Sequence, residues 1–145
     1  MKILDVCDQK TATVPAEATV SEAIRVMITA QVGAVAVVDR SQRICGIFTE
    51  RDVLVKVALS GMNPAITSVS HLMTAPVETA IPDITPIEAL GLMGQGHFRH
   101  LPIVDLDGKL LGMLSMRNLL QWRTNDLHRE LDALEQYFAN DSLGG

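Results

Sequence analysis

Sliding the sequence along itself by 66 positions brings two stretches into register without a gap. Thr19-Val20-Ser21-Glu22-Ala23 falls over Thr85-Pro86-Ile87-Glu88-Ala89, and Met27 over Met93. Val35-Ala36-Val37-Val38-Asp39 falls over Leu101-Pro102-Ile103-Val104-Asp105, and Gly46-Ile47-Phe48-Thr49 over Gly112-Met113-Leu114-Ser115. Arg51 and Leu54 match Arg117 and Leu120. A repeat of this length means that each copy is one supersecondary unit that must bury its apolar face against its twin.

Each unit reads as strand, helix, strand, strand, helix. Thr19-x-x-Glu22 and Thr85-x-x-Glu88 are capping boxes that open helices, and Pro86 suits the first helical position. Apolar residues follow at helical spacing: Val20, Ala23, Ile24 and Met27, then Ile87, Leu90 and Met93. Ala34–Val38 and Leu101–Val104 are continuous apolar runs of the kind buried on both faces of a sheet. Asp39-Arg40-Ser41-Gln42 and Asp105-Leu106-Asp107-Gly108 are turn signals leading to second strands at Ile44–Phe48 and Leu110–Leu114. Second helices start at Thr49 and Ser115, and Thr67–Leu72 forms a short helical turn before the second unit. The expected division is residues 1–60, a linker at 61–72, a second repeat at 73–123, and a C-terminal helix and tail at 124–145. Units of about 55 residues are too small to stand alone, so the fold class is α/β, two β-α-β-β-α repeats packed as one pseudo-twofold module.

These residues resemble a known family. Gly46-Ile47-Phe48-Thr49-Glu50-Arg51-Asp52, Phe98-Arg99-His100-Leu101-Pro102-Ile103-Val104-Asp105 and the approach Leu72-Met73-Thr74-Ala75-Pro76-Val77 are similar to a tandem pair of CBS (cystathionine-beta-synthase) domains, or Bateman module. The resemblance covers about Val6 to Arg123. It implies a sensor that binds an adenosine-containing ligand between the repeats, with modules pairing again into a disc-shaped homodimer. Thr49-x-x-Asp52 and Ser115-x-x-Asn118 match the family's ribose motif. A hydroxyl and a carboxylate one helical turn apart can hold vicinal hydroxyls, and the helix N-terminus beside them suits a phosphate. The same spacing also makes a plain capping box. Asn118 lacks the charge that shortens such bonds, so the second site is expected to be the weaker or empty one.

The resemblance also places Arg99 and His100 at the phosphates, where the first unit offers only Gly33 and Ala34. Arg51 and Arg117 recur at one position and fit either a ligand contact or a salt bridge between repeats. Val77 and Phe98, with Ile47 and Met113, could flank a purine or simply fill the core.

Composition narrows the function classes. Twelve Lys and Arg against 17 Asp and Glu give a net charge of −5, against the basic footprint of nucleic-acid binding and against an anionic membrane surface. Aromatics at 3% leave no base-stacking platform. No apolar run spans a bilayer, and Cys7 and Cys45 read as two buried thiols, so a cytoplasmic address is expected. No nucleophile elbow, phosphate loop or zinc motif is present, and His97 and His100 sit at a helix-to-strand junction, so neither an enzyme nor a metal site is expected. Leu127, Leu131, Leu134 and Phe138 form one apolar stripe on a C-terminal helix, which must lie on its own module or on a dimer partner, with Asn140–Gly145 a frayed end.

The expected function is a regulatory module that senses AMP, ADP or ATP and signals to a separate effector protein. The alternatives are a ligand-free dimerisation or interaction module, and a sensor of S-adenosylmethionine, NAD(H) or a cyclic or diadenosine nucleotide.

Overall fold

The structure, a computed structural model, describes residues 2–8 and 11–144, with side chains to Asn140. In the first repeat β1 (Thr13–Pro15) precedes α2 (Val20–Ala30), β2 (Ala34–Val38), β3 (Ile44–Thr49) and α3 (Glu50–Asp52). α3 widens directly into a π-helical stretch at Val53–Ala58. A short helix α1 (Ile3–Val6) comes before this repeat, and a 3-10 turn (Val69–His71) before the second. The second repeat holds α4 (Pro86–Gly96), β4 (His100–Val104), β5 (Leu110–Ser115) and α5 (Met116–Gly144).

The internal symmetry reaches into details. Thr19 and Glu22 complete a reciprocal capping box, whereas Thr85 accepts from the Glu88 amide without the return bond. Gln31 and His97, 66 residues apart, both end their helices in the left-handed conformation. Asp39 and Asp105 each accept two backbone N–H groups across their hairpin turns, at 2.8–3.0 Å. Those turns then bond each other, Ile44 N to Gly108 O at 3.1 Å and Leu110 N to Gln42 O at 3.0 Å, each bond the 66-residue image of the other.

The expected first strand of the second repeat is reduced to one bridge, Ala80 to Ile103. The cause is Pro102. Its counterpart Ala36 donates its N–H to Ala12 O at 3.0 Å and so extends β1 along β2, a bond that Pro102 has no hydrogen to make.

Three apolar clusters form the interior. One fills the first repeat around Phe48, Val35 and Val37, and a second fills the other repeat around Met93, Leu101 and Leu114. A third joins Ala34, Ala36, Val38 and Ile47 to Met113 between the repeats, as a twinned module requires. The segments leading into the repeats are exchanged. Ile3, Val6 and Cys7 pack into the second repeat's cluster, while Val69, Leu72 and Met73 pack into the first.

β3 holds the segment that leads into the second repeat by two backbone bonds, Ile47 N to Thr74 O at 3.0 Å and Thr74 N to Ile47 O at 2.8 Å. Met73 lies over Gly46, where any Cβ would overlap the thioether. Gly46→Ala should therefore cost about 1–3 kcal/mol by overpacking. Urea unfolding followed by circular dichroism tests this, and an unchanged midpoint would show that Met73 moves aside at no cost.

Candidate functional site

Two clefts, related by the 66-residue register, form where the end of a hairpin strand turns into a helix and meets the segment leading into the other repeat. In the first, Thr49 caps α3. Its N–H and hydroxyl reach Asp52 Oδ2 at 3.0 and 3.2 Å, and the Asp52 N–H returns a bond to Thr49 Oγ1 at 3.2 Å. Asp52 is only 7% exposed, the one buried charged residue among those described. Burying a carboxylate is costly unless it is paired, and here it is. Lys56 Nζ lies 3.1 Å from Oδ1, and Thr74 Oγ1 donates to the same oxygen at 3.3 Å. The ammonium is itself fixed by Leu72 O at 2.9 Å and Thr74 Oγ1 at 3.3 Å. A carboxylate offers roughly four acceptor positions, and these partners occupy them.

The second cleft repeats this frame with different groups. The Ser115 N–H and hydroxyl reach Asn118 Oδ1 at 2.8 and 2.7 Å, and the Asn118 N–H bonds Ser115 Oγ at 3.0 Å. The amide nitrogen, which a carboxylate would lack, donates to Asp8 Oδ1 at 2.9 Å. Asp8 is the register counterpart of Thr74, and Trp122 is the counterpart of Lys56. A cavity of about 360 Å³ opens beside this pair, lined by Asp5–Asp8 on one side and by Asn118, Gln121, Trp122, Asn125 and Arg129 of α5 on the other.

The basic candidates divide unequally. His100 is half-buried at the start of β4, opposite Ser115. A Cβ placed on Gly33 would sit 3.3 Å from its ring and 3.5 Å from Glu50 Oε2, so the ring reaches across to the first repeat. Burial holds the ring pKa below its ordinary 6.5, Glu50 and Asp8 oppose that shift, and Arg99 adds to it. Arg99 is exposed, and its carbonyl accepts the Met116 N–H at 2.8 Å. Arg51 and Arg117 are exposed on their helices, and neither belongs to an ion pair among the described residues, so the salt bridge allowed between repeats is not formed.

Val77 packs against the cluster between the repeats. Phe98 packs into the second repeat's own cluster, its ring against Gly96. Cys7 is buried and Cys45 only half-buried, both as thiols. Burial, reinforced by Asp8, pushes the Cys7 thiol up to about 11, so it is un-ionised near neutral pH.

Sequence reasoning missed Asp8, Thr74, Lys56 and Glu50. Continuing the 66-residue register upstream, to set Val6-Cys7-Asp8 over Leu72-Met73-Thr74, would have found the first two.

Comparison with known proteins places the fold in a family. The CBS domain family model matches residues 3–59 and again 69–125. The chain belongs to the CBS-domain family. It is a tandem CBS module, of a kind whose members regulate. A CBS domain-containing protein of Arabidopsis thaliana, CBSCBSPB5, is 38% identical over 120 residues, covering 83% of this chain and 21% of the relative. The chain thus spans about a fifth of that relative's length. The structure of a CBS-domain protein from Burkholderia ambifaria superposes with a TM-score of 0.79 at 33% identity, covering 87% of this chain and 96% of the other. A hexameric CBS-CP12 protein from bloom-forming cyanobacteria gives 0.74 at 26% identity, covering 83% and 69%. No helix among the described residues is long and apolar enough to cross a membrane.

His100 makes the module sensitive to acid. The unfolded chain takes up a proton on this side chain near pH 6.5, while the buried ring resists it, so the stability it contributes is full above that pH and is lost as pH falls through the lower folded value. Thermal melts between pH 7.5 and 5.5 should show the midpoint falling, and His100→Gln should flatten that slope. An identical slope in the variant would assign the acid sensitivity to other groups.

Proposed function

We propose that the chain is a regulatory module that binds an adenosine-containing nucleotide, AMP, ADP or ATP, between its repeats and passes the resulting change to a partner protein. The observation that carries this reading is the doubled strand-to-helix turn. In each repeat a hydroxyl, its backbone N–H and an oxygen acceptor converge within about 3 Å, against the lead-in segment of the other repeat. Thr49 with Asp52, and Ser115 with Asn118, are the two candidate ribose seats. Arg99, with Arg51 or Arg117, supplies positive charge for phosphates, the His100 ring offers an N–H, and Val77 and Phe98 are the apolar residues for the purine. A nucleotide bridging the repeats favours one arrangement of them, which the partner reads.

Thermal-shift measurements with AMP, ADP, ATP, NADH and S-adenosylmethionine test the reading. A ligand at about 100 times its Kd adds about 2.7 kcal/mol, a rise of several degrees for a chain of this size. A shift with an adenine nucleotide alone supports the proposal, and a shift with NADH or S-adenosylmethionine alone would transfer the sensor to that ligand. No shift with any of them would leave an interaction module without a ligand. That second reading has one observation in its favour, the saturation of Asp52 by Thr49, Lys56 and Thr74.

The module also self-associates through α5. The helix is continuous from Met116 to Gly144, so the expected fray does not begin at Asn140, and Gly145 lies outside the described residues. Every side chain from Leu127 to Asn140 is exposed, including the stripe Leu127, Leu131, Leu134 and Phe138, so the stripe does not lie on its own module. A second copy is the cover that such a stripe calls for, and the hexameric cyanobacterial relative shows that the fold tolerates assembly. Removing Asn125–Gly145 should lower the mass seen by light scattering, and an unchanged mass would place the self-association elsewhere. The two thiols fit a reducing, cytoplasmic setting.

A further inference from the structure

We infer that the second cleft is the one that takes the nucleotide, and that Asp8, not a residue of the hydroxyl-x-x-acid motif, supplies the carboxylate that receives the ribose hydroxyls there. The inference rests on the nucleotide reading above and reverses the order of the two clefts that Asn118 alone suggests.

Three observations lead to it. The first is an exchange of groups across the internal twofold. In the first cleft the acid stands in the motif, Asp52, and the hydroxyl in the lead-in segment, Thr74. In the second, the acid stands in the lead-in segment, Asp8, and the motif carries the amide of Asn118. The pair retains a carboxylate, displaced by one hydrogen bond of 2.9 Å. Asn118 fits this arrangement better than an aspartate would, since its NH₂ donates to Asp8 while its oxygen still caps the helix.

The second observation is that the two carboxylates differ in what remains open to a ligand. Asp52 is buried, neutralised by Lys56 and filled by hydroxyl and amide donors. A sugar could reach it only by displacing Thr49 or Thr74. Asp8 is exposed, among the described residues it bonds the neutral amide of Asn118, and Trp122 stands where the first cleft has Lys56. Among the described residues no cation pairs with it, and bonds to an ionised acceptor are about twice as strong as neutral ones.

The third is the surroundings. The cavity of about 360 Å³ lies against the Asp8–Asn118 pair, with Trp122 and Arg129 on its helical wall. His100 starts β4 opposite Ser115 of this cleft, with its ring reaching Gly33 and Glu50 of the first repeat, and the equivalent positions to Arg99 and His100 in the first repeat are Gly33 and Ala34. An exposed carboxylate, an indole and the Arg129 guanidinium thus line one cavity beside the second cleft.

Calorimetric titration of AMP and of 2′-deoxy-AMP into the full chain decides the matter. Wild type should bind one AMP per chain and prefer it to the deoxy analogue. Asp8→Ala should weaken AMP by about ten- to a hundredfold, as for loss of a bond to a charged group, and should erase the preference over the deoxy analogue. The double variant Asp8→Thr, Asn118→Asp rebuilds the first cleft's arrangement without its lysine, and should recover affinity to within about threefold. Asp8 is exposed, so the variants should melt close to wild type; a double variant that melts normally keeps the test valid if Asp8→Ala does not. Full AMP affinity in Asp8→Ala, or a deoxy preference that survives it, overturns the inference while the nucleotide reading stands. Failure of the wild type to bind AMP, ADP or ATP overturns both.

Discussion

Ile3, Val6 and Cys7 lie in the core of the second repeat, and Val69, Leu72 and Met73 in that of the first, so neither repeat closes its interior with its own leading segment. The rest of the architecture depends on this exchange. A unit of about 55 residues buries too little surface to be stable alone, and here each borrows apolar side chains from the stretch leading into the other. The same crossing sets Thr74 against Asp52 and Asp8 against Asn118. The clefts are therefore by-products of the packing that makes the module fold, and chemistry at a lead-in segment is tied to stability.

That coupling explains why the two clefts could drift apart while the fold stayed symmetric. The hairpins, the helix caps and the inter-repeat bonds follow the 66-residue register closely. The polar groups inside the frame do not. Lys56 locks the acid of one cleft, Trp122 takes the corresponding place in the other, and Arg99 and His100 have only Gly33 and Ala34 as counterparts. Backbone geometry is held by many bonds at once, whereas a single side chain in a half-open cleft is free to change.

Most of the fold was legible because it was written twice. The capping threonines, the apolar runs at Ala34–Val38 and Leu101–Val104, and the paired turn residues each gained meaning from their copies. The missing strand at Ala80 was also readable in principle, since Pro102 in place of Ala36 removes a donor that the ladder needs. The sites were less legible, because a motif read along the chain says nothing of what crosses to meet it. Asn118 looked like a loss until Asp8 stood 2.9 Å away, and Asp52 looked available until Lys56 and Thr74 closed on it. The apolar stripe of the tail was read correctly as a stripe, but the sequence could not show that its side chains stand exposed among the described residues.

One more consequence lies in the length of α5. Its first residue follows Ser115, the capping hydroxyl of the second cleft, and the helix then runs unbroken for 29 residues. At about 1.5 Å per residue it is a rod some 40 Å long, anchored at the cleft and projecting beyond the module. A tilt of about 10° at the anchored end carries the far end through roughly 7 Å, a lever that turns a sub-ångström adjustment around Asn118 into a displacement that another protein can feel.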